Sequence, residues 1–407
     1  MRTVAIDSVT RLARWVFVLT LIGYPVFGLL AALLDVDSSV TSFPFRILVA
    51  VLSLLVLYIA MQAHFKDKGY KWLWAFWFLY ASRLLWDTLV ADIDGAQAAM
   101  LFFAVVVVLP CYALSCAVSK WRERPTANLL AALGGATCTL AVLMQVLSLG
   151  LESSLIEQTS RLSFVSINPI SLGHVAATTL IAGMCLTRYH LNWATKMLVA
   201  CAALAAMAVL MLAASRGPVL AFGICALVFG VAVGQWRLIF LGALLLSPVI
   251  LGQNTELLGR FNDIENDESA NDRILLISSA ISEFLNHPLL GSAFVEPLQL
   301  TYPHNLMIET SMALGVAGLA TLVPVVLRAC VQCWRRLKQQ DLLLPLLFIQ
   351  YLIGAQLSGA IWGNASFWAV VVLLVGYPLT ASARQKKRSP HLVSELAHGG
   401  TATTGTW

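Results

Sequence analysis

The chain has 407 residues, of which 59% are apolar and only 12% charged, with a net charge of +5. Its mean hydropathy is +0.81. Soluble domains carry about a quarter charged residues, so the composition excludes a water-facing globular protein and leaves a membrane-embedded one, with membrane lipid around it and no nucleic-acid partner expected.

Apolar stretches of roughly 20 residues cross a bilayer as helices. Twelve are expected, at about 13–33, 45–63, 72–90, 98–118, 127–149, 171–187, 195–213, 217–234, 237–251, 304–327, 341–358 and 365–383. The expected fold is therefore all-α, a polytopic bundle over 1–388 followed by a disordered tail at 389–407. An even number of spans puts both termini on one side. Twenty of the 26 Lys and Arg residues, including every lysine, fall in the loops and tails of that side. Cytoplasmic loops concentrate Lys and Arg, so both termini are read as cytoplasmic. The inner face then carries +15 and the outer face −10. No cleavable signal peptide is expected, because the first apolar run is too long and Asp35-Val36-Asp37 simply opens an outer loop. Six cysteines lie inside spans, and Cys330 and Cys333 sit at a cytoplasmic helix end, so no structural disulfide is expected. One Cys-x-x-Cys without a second pair lacks the four ligands of a metal site.

Six arginines remain on the outer side: Arg46, Arg83, Arg161, Arg216, Arg260 and Arg273. Arg46 reads as an interfacial anchor. Arg83 and Asp87, four apart on one helix face, read as a buried pair, with cavity lining as the alternative. The acidic pairs Asp35/Asp37 and Asp92/Asp94 are too short a pattern for a metal site. His174, near the outer end of its span, can line a cavity, as can Asn305 and Glu309. Arg216 lies in the turn Ala214-Ser215-Arg216-Gly217-Pro218, where Gly217 suits a helix end and Pro218 the first turn of the next helix. A guanidinium there offers a planar fork matched to phosphate oxygens.

Residues 252–303 form the single large outer loop. Within it a helix is expected from a cap at 269–271 to about Asn286, with Ile274, Ile277, Ile281 and Phe284 as its apolar stripe and Arg273 near its start. Such a helix lies on the membrane surface or over the bundle. His287-Pro288 ends it. The segment Thr301-Tyr302-Pro303-His304-Asn305 closes the loop, and His304 is expected to open the next span. Histidine there can take a proton from a hydroxyl near neutral pH, as a glycosyl acceptor requires.

Together, Ser215-Arg216-Gly217, Asp272-Arg273, His287-Pro288-Leu289-Leu290-Gly291-Ser292, His304-Asn305, Glu309 and Leu314-Gly315 resemble the O-antigen ligase/polymerase superfamily of bacterial membrane glycosyltransferases. The resemblance is strong over about 170–330 and topological elsewhere. It implies a GT-C-type helical fold, a periplasmic active site in a Gram-negative inner membrane, and no cofactor or metal. It also implies an undecaprenyl-diphosphate-linked O-antigen donor and, in the ligase branch that looks most similar, a lipid A–core acceptor. Carried residue by residue, it makes Arg216, Arg273 and, less securely, Arg260 diphosphate binders, and His304 the catalytic base. A polymerase or a protein O-oligosaccharyltransferase of the same superfamily is the nearest alternative. A twelve-span transporter is the rival from another class, but related halves and broken midplane helices are missing from the pattern.

Overall fold

The computed structural model describes residues 2–62, 70–117, 121–148, 162, 167–236, 268–297 and 299–376. Among these residues the regular secondary structure is helical, apart from a bridge residue at Ile167 and an isolated bridge between Glu296 and Thr301. In chain order the helices are α1 (Arg2–Leu33), α2 (Ser38–Gln62), α3 (Lys71–Leu89), α4 (Ala96–Phe102) and, after a π-helical turn at Phe103–Val108, α5 (Leu109–Ser115). Then follow α6 (Glu123–Ser148), α7 (Pro169–Leu186), α8 (Trp193–Leu212), α9 (Arg216–Val233), α10 (Glu268–Asn286), α11 (Leu306–Lys338), α12 (Leu343–Leu357) and α13 (Ala365–Val375).

Eight of these segments are long and apolar enough to cross a membrane: α1, α2, the combined α4–α5 unit, α6, α7, α8, α9 and α11. The shorter α12 and α13 are also apolar, and α3 carries Arg83 and Asp87. A polytopic membrane protein is the architecture these helices describe. The expected segment 237–251 lies outside the described residues, as do Arg161, Arg260 and the tail 389–407.

Between helices in lipid the hydrophobic effect has little to offer, so van der Waals packing must hold the bundle. Trp368, Tyr80, Phe76, Phe103 and Phe367 are fully buried. The Trp368 ring lies 5.4 Å from Phe76 and 5.0 Å from Phe367, and Tyr80 lies 5.2 Å edge-on to Phe103, tying α3, the π turn and α13 together. The π turn has a local cause. Pro110 has no N–H to give the carbonyl four residues back, and the helix widens over the preceding residues.

Three boundaries differ from the sequence reading. Gly217 does not end a helix: α8 stops at Leu212, Ala214 makes the reversal at φ 43°, and Arg216, Gly217 and Pro218 already belong to α9. His304 does not open the span but stands two residues before α11, which runs on to Lys338 rather than ending near 327. Its last turn remains ordered because Arg336 pairs with Asp341, whose neighbour Leu342 donates its N–H to Glu123 at 3.2 Å. The buried face of α10 matches the expected stripe only in part. Leu276 and Ala280 are buried and Ile277 and Phe284 half-buried, whereas Ile274 and Ile281 are exposed together with Leu275 and Leu285. The helix carries apolar residues on both sides, and the set that packs is offset from the set the spacing selected.

Helix α11 is broken at Gly315, whose φ of 60° and ψ of −152° belong almost solely to glycine. The loop after α10 fills the break. Val316 N–H donates to Pro288 O at 2.8 Å, Ala317 N–H to Leu289 O at 3.2 Å, and Ser292 N–H to Met312 O at 2.9 Å. Gly291, at φ 72°, has no room for a Cβ against the backbone of Met312 and Ala313. The His287-Pro288-Leu289-Leu290-Gly291-Ser292 motif is thus a backbone plug for a broken span, and its two facing glycines allow the chains to touch.

Candidate functional site

The same loop delivers His304. Arg83 donates to the Ser292 carbonyl and lies 3.8 Å from Asp87, whose other carboxylate oxygen accepts Phe294 N–H at 3.0 Å. The pair therefore fastens α3 to the loop, which supports the structural reading. Neither residue lines the two cavities described below. Glu296 accepts Ser279 Oγ–H at 2.6 Å and Gln299 N–H at 2.7 Å, joining α10 to the last loop turn.

Asn305 is the cap of α11. Its side-chain oxygen accepts Met307 N–H and Ile308 N–H, both at 3.1 Å, and its Nδ2 donates to Gln356 O at 3.2 Å. That role leaves His304 outside the helix at φ 55°, a left-handed conformation costing a non-glycine residue about 1 kcal/mol. The imidazole is half-buried, edge-on to Tyr302 with ring centres 4.6 Å apart. Its Nδ1 is buried and meets no hydrogen-bond partner among the described residues. Burial, with a smaller contribution from the Arg273 charge, pushes its pKa below the ordinary 6.5, so the ring is neutral and able to accept a proton near pH 7.

Arg273, half-buried on α10, is therefore within electrostatic reach of His304. Arg216 is the first residue of α9, where the helix dipole favours an anion. Leu357 lies beside Gly217, while Gln356 holds Asn305, so the last turn of α12 stands between the starts of α9 and α11. Arg216 and His304 flank that turn. Arg260 is outside the described residues.

Glu309 lines neither of the two cavities described here. It is wholly buried, accepts Ile361 N–H on both oxygens at 3.0 Å, and accepts Tyr80 O–H at 3.2 Å. Ile361 O in turn accepts Trp368 Nε1–H at 3.0 Å. The turn between α12 and α13 is pinned on both backbone faces, and it presents Trp362 to Tyr302, with ring centres 6.4 Å apart. His174 does line a cavity, a chamber of about 400 Å³ bounded also by Arg46, Ser171, Asn364 and Trp362. The acidic pairs do turn work: Asp35 and Asp92 take left-handed φ after their helices, and Asp37 accepts Ser39 N–H at 2.7 Å at the start of α2.

A family model described as O-antigen ligase matches residues 200–323. The match supports membership of the O-antigen ligase/polymerase superfamily. The matched stretch takes in Arg216, Arg260, Arg273, the loop plug, the break at Gly315 and His304, and it stops within α11. Arg46, Arg83, Asp87 and His174 lie outside it. No curated protein matches the chain. Proteins of that family are membrane glycosyltransferase-type enzymes and, in general terms, use lipid-linked polysaccharide and lipid acceptor substrates.

Two members of the site escaped the sequence reading. Tyr302 appeared only as part of a loop ending, and Trp362 in Gly359-Ala360-Ile361-Trp362-Gly363-Asn364 carried no signal beyond a turn. Their partners come from distant parts of the chain, and no local periodicity encodes them.

Proposed function

We propose that the protein is an O-antigen ligase, transferring a glycan from undecaprenyl diphosphate to a sugar hydroxyl of the lipid A–core at the periplasmic face of the inner membrane. The observation that carries this reading is His304, held before α11 with a buried, unpartnered Nδ1 and an arginine charge beside it. A neutral imidazole in that place can take the proton of an acceptor hydroxyl.

The donor brings its own leaving group. Arg273 and Arg216, with Arg260, neutralise charge developing on the departing diphosphate, so no acid is needed to protonate it. His304 takes the acceptor's hydroxyl proton as the oxygen attacks the anomeric carbon. The carbon–oxygen bond to diphosphate breaks on the opposite face, so the anomeric configuration inverts. A neutral histidine is required at the start of each cycle, and burial, with the Arg273 charge beside it, keeps it so.

Complementation of a ligase-deficient Gram-negative strain tests the assignment. Wild type is expected to restore full-length lipopolysaccharide ladders and His304→Ala, at equal expression, to leave bare core. Polymerised donor without capped core would indicate a polymerase instead. Ladders from His304→Ala at the wild-type level would remove His304 as the base.

A further inference from the structure

The chamber beside His174 is not closed on its own. It shares Arg46, Phe102, Val106 and Trp362 with a larger space of about 760 Å³ between α2 and the α4–α5 unit. That second space is a groove facing sideways. Phe43, Ile47, Val51 and Leu54 on α2, and Leu101 and Val105 opposite, line it and are exposed on the flank of the bundle. Apolar walls exposed at that level of a spanning helix meet hydrocarbon.

The chamber is the more polar of the two, although Leu21, Phe45 and Ile170 also line it. Trp362 Nε1 and His174 Nδ1 are both buried, and neither meets a hydrogen-bond partner among the described residues. Both rings form its wall, and a buried unpaired N–H costs about 1–3 kcal/mol. Arg46 sits at the junction, its guanidinium 4.9 Å above the Phe102 ring. An indole N–H and a guanidinium only donate, so the missing partner is an acceptor, and an anionic one. A groove that is apolar except for Asp94 and the polar loop residues Thr301 and Tyr302, and that ends at a cation and an unpaired donor, has the form of a lipid-phosphate site.

We propose that the groove and chamber, joined at Arg46, bind a phosphorylated membrane lipid, with one hydrocarbon chain between α2 and α4–α5 and its phosphate at Arg46 and Trp362. Arg216 and Arg273 line neither space. A separate cation site implies a separate lipid, and on the ligase reading above that lipid is the acceptor. Trp362 against Tyr302, and Tyr302 against His304, then carry the acceptor side of the site to the base.

The binding test does not depend on glycosyl transfer. Purified protein in nanodiscs is titrated with 1-oleoyl lysophosphatidate and with uncharged 1-oleoyl glycerol. Wild type is expected to prefer the phosphate at least tenfold. Arg46→Gln should erase the preference, Trp362→Phe should reduce it severalfold while keeping the ring, and Ala98→Trp, which fills the groove, should weaken both lipids. Variants are compared at wild-type thermal stability. Retained preference in both Arg46→Gln and Trp362→Phe, or unaltered binding in Ala98→Trp, overturns the proposal even if complementation succeeds. In transfer assays Arg46→Gln should raise the acceptor KM at unchanged donor KM. A rise confined to the donor would overturn the assignment to the acceptor.

Discussion

Gly315→Ala probes the joint on which the loop is built. At φ 60° and ψ −152° a side chain costs about 1–3 kcal/mol in backbone strain. The added Cβ would also stand 2.5 Å from the Leu289 carbonyl carbon and the Pro288 oxygen. Those are backbone atoms that cannot rotate aside, so the loop must lift. Lifting breaks three hydrogen bonds, each worth about 0.5–1.5 kcal/mol net. Val316 and Ala317 can recover partners within a straightened α11, while the loop cannot. The expected cost is about 3–5 kcal/mol, concentrated in the loop. Hydrogen exchange in nanodiscs should show the amides of Gly291 and Ser292 losing protection while α7 and α8 keep theirs. Transfer should fall about a hundredfold, because displacement of a catalytic group by about an ångström has that effect. Wild-type exchange at those amides with wild-type melting would refute the reasoning.

Arg216→Lys and Arg273→Lys keep charge but lose the planar fork, so transfer should drop at least about tenfold with a raised donor KM; full activity in both would reject bidentate phosphate binding. Because burial and the Arg273 charge hold the His304 pKa below 6.5, the acid limb of transfer should lie below that pH. Arg273→Gln should move the limb upward, measured as residual rate against pH. The sign for stability follows: charging is disfavoured in the fold, so this contribution is present above about 6.5 and lost as pH falls below it. Glu309→Ala strands Ile361 N–H and Tyr80 O–H, each costing about 1–3 kcal/mol, and should lower the melting temperature and unsettle Trp362 fluorescence.

What the sequence made legible was whatever repeats locally. Apolar run length marked the spans, and α10 ended at Asn286 as expected, because stop signals and helical spacing act within a few positions, although it begins at Glu268, before its expected cap. Charge segregation singled out six arginines. What stayed hidden depends on distant partners. The offset face of α10 is set by α11, which the spacing of isoleucines does not encode. Gly315 looked like an ordinary small residue in an apolar run, yet its break exists only because Pro288 and Leu289 supply carbonyls. Glu309 promised a cavity wall and became a bracket for Ile361. Arg46 looked like an anchor because its value lies in what α4 and Trp362 place around it.

The π turn at Phe103–Val108 bears on all of this. A π turn accommodates a surplus residue in a helix that otherwise advances about 100° per residue. The residues before it are rotated relative to those after it. Phe102 and Val106 therefore face the junction of chamber and groove, while Cys111 and Leu114 beyond Pro110 keep their buried seats. One proline thus uncouples two phases of a single span. The half near His304 is free to be shaped by ligand, and the other half by the bundle.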